Sequence, residues 1–235
     1  MQPKFRNRCN WPLMDRNSCN QPPFSVARPI KSTTRSLSGV FAFRGASVAF
    51  ESMLERDFLR RMEFRKDVLH VVSQPIAFDF VAWNGRSYTY TPDYLVRFHS
   101  HIRRRPMLIE VKPEENWRKN WREYLPKWKT AWRYAKQQGW EFHIYDESRI
   151  RGQSLKNIQF LERYRNADYA EVDLDAIVRT VAFKGFASIE YLTALHFQGE
   201  EELGKSHVLH LIATRKLDCD ISGALDDSLE VVVAQ

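Results

Sequence analysis

Tyr90-Thr91-Pro92-Asp93-Tyr94-Leu95-Val96, followed by Met107-Leu108-Ile109-Glu110-Val111-Lys112-Pro113, is the stretch of this 235-residue sequence that decides its architecture. Tyr94 to Phe98 continues extended after Pro92, and Met107 to Val111 is a further apolar run of strand length. Asp93 and Glu110 then stand on neighbouring strand ends. Lys112 follows Glu110 by two residues, so on a strand both side chains point to one face. Two carboxylates and an ammonium at one place are the minimal equipment for metal-dependent phosphodiester hydrolysis.

Upstream, Ile76 to Trp83 alternates in strand fashion and meets Asn84-Gly85, a strong hairpin signal, before Ser87 to Tyr90 returns as its partner. Before that, Val48, Met53, Leu54, Phe58, Leu59 and Met62 recur at helical spacing, which predicts a helix over 47–64 carrying Glu51 and Glu55 on adjoining faces. Downstream, Pro126 suits the first turn of a helix running to about Gln138, Gly139 suits its C-terminal cap, and Trp140 to Tyr145 reads as another strand. The order of helix, hairpin, strands, helix and strand predicts an α/β sandwich around a mixed sheet over 41–148. Residues 149–170 form a charged, partly helical connection. Three short helices (174–182, 188–197 and 207–214), with Leu217 and Ile221 in small strands, point to a winged-helix module over 171–235. Residues 1–40, rich in Pro, Asn, Ser and Arg, read as a basic, flexible arm.

Apolar residues make up 43% of the chain and aromatics 13%, enough for a packed core, so global disorder is excluded. No apolar run of about 18 residues could cross a bilayer, and no signal peptide opens the chain, which places the protein in the cytoplasm with no membrane partner. Cys9, Cys19 and Cys219 lack the spacing of a zinc ribbon or a disulfide framework and read as free thiols. The net charge of +7 is uneven: the N-terminal segment and the middle are basic, whereas the last third is acidic. Basic segments neutralise phosphates, and Lys31, Arg35, Arg44, Arg118, Lys119 and Arg122 are candidate DNA contacts. The acidic module suits a basic protein partner better than a DNA grip.

Taken one at a time, these signals have ordinary explanations. Pro-Asp is turn chemistry, Glu-x-Lys on a strand is a solvated face, and a glutamate on an amphipathic helix is surface. Their conjunction carries the reading: Asp93 and Glu110 as carboxylate ligands, Glu55 as a further one, and Lys112 to orient the attacking water or stabilise developing charge. Gln74, just before the first predicted strand, is a supporting candidate. Trp117 and Trp121 read as core residues, and His207 and His210 as structural.

Phe50-Glu51-Ser52-Met53-Leu54-Glu55-Arg56-Asp57-Phe58, Gln74-Pro75, Tyr90 to Val96 and Leu108 to Pro113, in this order, resemble the TnsA family, the endonuclease subunits of heteromeric cut-and-paste transposases. The resemblance covers roughly residues 39–146. It implies a restriction-endonuclease-like fold, with Glu55, Asp93 and Lys112 as catalytic residues. It also implies Mg2+ as cofactor, with Mn2+ able to substitute, and cleavage at the 5′ ends of a transposon. Glu110 occupies a position where relatives carry Glu or Gln. The implied partners are transposon-end DNA, the DDE-type transposase TnsB and the AAA+ regulator TnsC, contacted through a winged-helix-like C-terminal domain. The implied setting is the bacterial cytoplasm, at the nucleoid when the protein acts on DNA. Two other readings compete: a stand-alone restriction- or resolvase-like nuclease, and a non-catalytic DNA-binding adaptor that recruits a regulator.

Overall fold

The computed structural model describes residues 37–234; Lys31, Arg35, Cys9, Cys19 and most of the predicted arm lie outside them. The chain divides into two units, one ending at Ile150 and one beginning at Arg151.

The first unit opens with a hairpin, β1 (Gly39–Phe43) and β2 (Ala46–Phe50), followed by helix α1 (Met53–Phe64). This corrects the helix predicted over 47–64. Ser47 to Phe50 pair antiparallel with residues 39–42, and Val48 and Phe50 are buried two apart, a strand period rather than a helical one. The helix starts only where Ser52 caps it, its hydroxyl accepting the Glu55 N–H.

Strand β3 (Val68–Ser73) is absent from the sequence prediction, because a register irregularity between Val68 and His70 destroys its simple alternation. It is followed by the expected hairpin of β4 (Phe78–Val81) and β5 (Ser87–Tyr90), then β6 (Tyr94–Phe98) and β7 (Met107–Val111). Helix α2 spans Glu114–Gln137, strand β8 spans Glu141–Tyr145, and the short helix α3 spans Glu147–Ile150. The central sheet runs β3-β6-β7-β8: the first two pairings are antiparallel, and β7 with β8 is parallel. That is the mixed sheet the sequence predicts. Strand β7 is buried along its whole length.

Two apolar layers hold the sheet. On one face Leu54, Phe58, Leu59 and Met62 of α1 pack against Val71, Tyr94, Val96, Ile109 and Val111. On the other, Trp128, Ala131, Tyr134 and Ala135 of α2 pack with Phe78, Tyr90 and Leu108. Burying each such side chain contributes roughly 1.5–3 kcal/mol.

Helix α2 begins twelve residues before the predicted start at Pro126, which lies inside it; Asn120 marks a kink. A proline inside a helix leaves the carbonyl four residues back without its donor. Here that carbonyl belongs to Arg122, and the Trp83 indole N–H from the β4–β5 connection donates to it at 2.7 Å. The hairpin thereby satisfies the break that Pro126 makes, and the helix continues through it. Gly139, at φ +72, ends the helix as the sequence predicts.

The second unit contains α4 (Gln153–Leu161), α5 (Glu171–Lys184), β9 (Ala187–Ser188), α6 (Ile189–His196), α7 (Glu201–Ala213), β10 (Leu217–Cys219) and β11 (Glu230–Val233). Its antiparallel sheet has the order β10-β11-β9. Leu174, Ile177, Val181, Leu192, Val208 and Ile212 are buried between its helices. Ile221 is not in a strand: Asp220 accepts the Ser222 N–H and turns the chain away, and β11 pairs with β10 in its place. His207 and His210 are structural, with ring nitrogens 2.8 Å from the carbonyls of Leu203 and Tyr164. Burial pushes the free Cys219 thiol up to about 12, which makes it a poor nucleophile.

Candidate active site

Topology brings four chain segments to one edge of the central sheet. Because β6 runs antiparallel to both β3 and β7, its start lies beside their ends. Asp93 immediately precedes β6, Gln74 immediately follows β3, and Glu110 and Lys112 sit at the end of β7. The first turn of α1 delivers Glu55 to the same edge, where Tyr94 joins it to the sheet.

Asp93 is the electrostatic centre. Its Oδ2 accepts the Val111 N–H at 2.7 Å, which ties β6 to β7 at the site. Burial, then the charges of Glu110 and Glu55, hold its carboxyl well above the usual range; the Val111 N–H and Lys112 only partly offset them. Glu55 is also raised, first by burial. It accepts the Glu51 N–H at 2.9 Å and the Ser52 hydroxyl at 2.8 Å, and its Oε2 lies 3.1 Å from the Tyr94 hydroxyl. This is close to a capping box, so Glu55 has a structural task at the helix start alongside any chemical one.

Glu110 is 3% exposed and fully engaged at both oxygens. The Tyr90 hydroxyl donates to Oε2 at 2.7 Å, and the Lys127 ammonium donates to Oε1 at 3.0 Å. Burial and the Glu110 charge raise the Tyr90 phenol well above its ordinary value, so it is present as a donor. Lys127 sits over the rings of Tyr90 and Tyr124, each at 4.6 Å, and Lys112 lies 5.4 Å from the same Tyr124 ring. The site thus holds two lysines where the motif predicts one. Lys127 is not among the residues the sequence singles out, yet its side chain is turned in to Glu110 and is 16% exposed. Its one sequence signal is its position among Tyr124 and Trp128, a cation amid aromatics.

Gln74 is also at the site. Its N–H donates to the Asp93 carbonyl at 2.7 Å, and its amide Nε2 donates to Glu51 Oε1 at 3.2 Å. Its φ is +47, and its amide oxygen is buried with no hydrogen-bond partner. Such backbone strain costs of order 1–3 kcal/mol, and an unmet buried acceptor about 1–3 kcal/mol more. Among the described residues, no three Asp, Glu, His or Cys side chains come together closely enough to hold a metal by themselves.

The candidate DNA contacts differ in availability. The Arg44 guanidinium donates to the carbonyls of Glu63, Arg65 and Val68, closing the end of α1. Arg118 pairs with Glu114 at 2.6 Å and stacks on Trp117, whereas Lys119 and Arg122 are exposed, Arg122 lying over the Trp121 ring. Trp117 donates to Asp146 at 3.0 Å and packs beside the second core layer. Trp121 is 45% exposed, which corrects its reading as a core residue: it follows the Asn120 kink and lines an open pocket with Trp117, Trp128 and Phe142.

A comparison with curated proteins gives no match. A family model does match over residues 65–147, described as TnsA-like endonuclease N terminal. The matched stretch contains Gln74, Asp93, Glu110, Lys112 and Lys127, while Glu55 precedes it. With a mixed sheet that gathers the motif residues at one edge, and with this match over the segment that supplies most of them, residues 65–147 are identified as a TnsA-like endonuclease N-terminal domain.

Proposed function

We propose that the protein is the metal-dependent DNA endonuclease subunit of a heteromeric transposase, cutting the 5′ ends of the transposon during cut-and-paste transposition. The observation that carries this is Asp93: a half-buried carboxylate, pinned by the Val111 N–H and crowded by Glu110 and Glu55, with Lys112 beside it. Crowding like charges at one strand end is costly for a structural site, and characteristic of one built to receive a cation and a phosphate.

The donor set is all oxygen and suits Mg2+, which is content with one or two carboxylates, with Mn2+ as a substitute. Asp93 would be the principal ligand, with Glu55 and Glu110, whose charges bear on it, as the neighbouring carboxylates. The bound ion would supply charge stabilisation at the scissile phosphate and activation of water. Lys112 orients the attacking water or meets the charge that develops on the phosphate. Tyr90 and Lys127 hold Glu110, the Val111 N–H holds Asp93, and Ser52 with the Glu51 N–H holds Glu55, so the acidic groups are positioned before substrate arrives.

In the second unit, the order α5-β9-α6-α7-β10-β11 with a small antiparallel sheet supports a winged-helix-like reading. Its acidic residues favour contact with protein partners, TnsC and TnsB, over direct grip on DNA. No described helix is long and apolar enough to cross a membrane, and action on DNA in the bacterial cytoplasm fits the reading.

The test combines the full-length chain, its partner transposase and transposon-end DNA with Mg2+ or Mn2+. The 5′-end nick should appear with the wild type and vanish with Asp93→Ala. Unchanged cleavage in that variant sinks the site assignment. Robust cutting of plain DNA by the protein alone favours a stand-alone nuclease instead.

A further inference from the structure

Gln74 combines three properties that a merely structural residue does not need together. Its backbone is held at φ +47, a region that side-chain-bearing residues rarely adopt. Its position is fixed twice, by its N–H on the Asp93 carbonyl and by its amide Nε2 on Glu51. Its amide oxygen is buried and accepts nothing, on a residue 8% exposed.

The amide cannot simply rotate to find a donor. Flipping it would set its oxygen against the Glu51 carboxylate, acceptor against acceptor. Glu51 therefore fixes which atom faces the interior. The acidic groups linked to this network are Glu51, Glu55, Asp93 and Glu110: Glu51 bears on Glu55, and Glu110 and Glu55 on Asp93. An unpartnered carbonyl oxygen on a residue held between the Glu51 carboxylate and the Asp93 backbone lacks the positive group that would satisfy it. Carboxylates alone do not close a metal site among the described residues, whereas amide oxygens are ordinary ligands for hard cations.

We propose that the Gln74 amide oxygen is a ligand of the divalent-cation site beside Asp93, with Glu51 as the residue that positions it. This rests on the metal-dependent nuclease reading and adds a neutral oxygen to its ligand set. It also explains the strained backbone: a residue in an ordinary extended conformation would direct its side chain elsewhere.

The experiment measures Mn2+ binding to the full-length protein by calorimetry, together with thermal unfolding in chelator, for wild type, Gln74→Gly, Gln74→Glu and Asp93→Asn. Gln74→Gly should weaken Mn2+ binding about tenfold or more, because one ligand is gone. It should leave the metal-free Tm unchanged or raise it by about 2 °C, because strain is relieved. Gln74→Glu should bind Mn2+ more tightly than wild type and lower the metal-free Tm, by adding a further negative charge to the acidic network. If Gln74→Gly binds as wild type while Asp93→Asn does not, Gln74 is no ligand and the metal reading stands. If the wild type itself binds no Mn2+, the metal reading fails and takes this proposal with it. A large Tm loss in Gln74→Gly, with no gain in affinity in Gln74→Glu, assigns Gln74 to structure and overturns the proposal.

Discussion

The Lys127 ammonium lies 3.0 Å from Glu110 Oε1, and both side chains are largely buried, at 16% and 4% exposed. The pair joins α2 to the end of β7 directly behind the candidate active site. A buried ion pair adds little net stability compared with apolar neighbours, but removing one partner strands the other charge. Lys127→Met should therefore destabilise the protein by about 3–5 kcal/mol, read as a lower urea midpoint in metal-free buffer. Adding Glu110→Gln to Lys127→Met should recover most of that loss, since the amide still accepts from Tyr90 and carries no charge. Equal stability of Lys127→Met and wild type would show that the pair is not formed in solution.

Asp93 makes the fold itself sensitive to pH. Its carboxyl is raised well above its unfolded value by burial and by Glu110 and Glu55, and Glu55 shifts in the same direction. A group with a raised folded pKa binds more protons when folded, so its favourable contribution is complete below the unfolded value and is lost as pH rises through the folded one. In metal-free buffer, Asp93→Asn should match wild type near about pH 4 and become progressively more stable than it toward about pH 8. Chemical denaturation at a series of pH values with chelator present measures this gap. Added Mn2+ should narrow it at neutral pH by stabilising wild type alone. A gap that does not grow with pH would mean that Asp93 is not crowded by charge.

How much of this was legible in the sequence follows from what each signal depends on. Asn84-Gly85, Pro92 and the run from Met107 to Val111 are local signals, and the β4–β5 hairpin, β6 and β7 follow from them. The gathering of Asp93, Glu110 and Lys112 was likewise readable, because alternation along β7 and a proline before β6 fix their places. Strand β3 was hidden by its irregular register at Val68 and His70. The length of α2 was hidden because Pro126 is a start signal unless something satisfies the carbonyl before it. That something is Trp83, thirty-nine residues away in sequence, and no local pattern announces it. Lys127 is illegible for a different reason: its partner Glu110 is seventeen residues away in sequence, on a strand. The place of Gln74 just before a predicted strand makes it a supporting candidate, but its unmet oxygen and positive φ are properties of the folded edge alone.

Glu55 poses a separate question, because it both starts a helix and belongs to the candidate site. Its carboxylate receives the Glu51 N–H and the Ser52 hydroxyl, while the Ser52 hydroxyl oxygen accepts the Glu55 N–H at 3.2 Å. Ser52→Ala removes the cap and one donor, and should cost about 1 kcal/mol of stability. Glu55→Gln keeps an acceptor oxygen for the Glu51 N–H and the Tyr94 hydroxyl, and removes a charge that burial already disfavours. It should fold as stably as wild type or better, yet lose nicking of transposon-end DNA by about a hundredfold or more, as expected for a group acting on the reacting phosphate or its cation. Urea denaturation and single-turnover nicking on the same two variants separate the roles. If Glu55→Gln nicks at the wild-type rate, Glu55 is a helix cap only, and the chemistry rests on Asp93, Glu110 and Lys112.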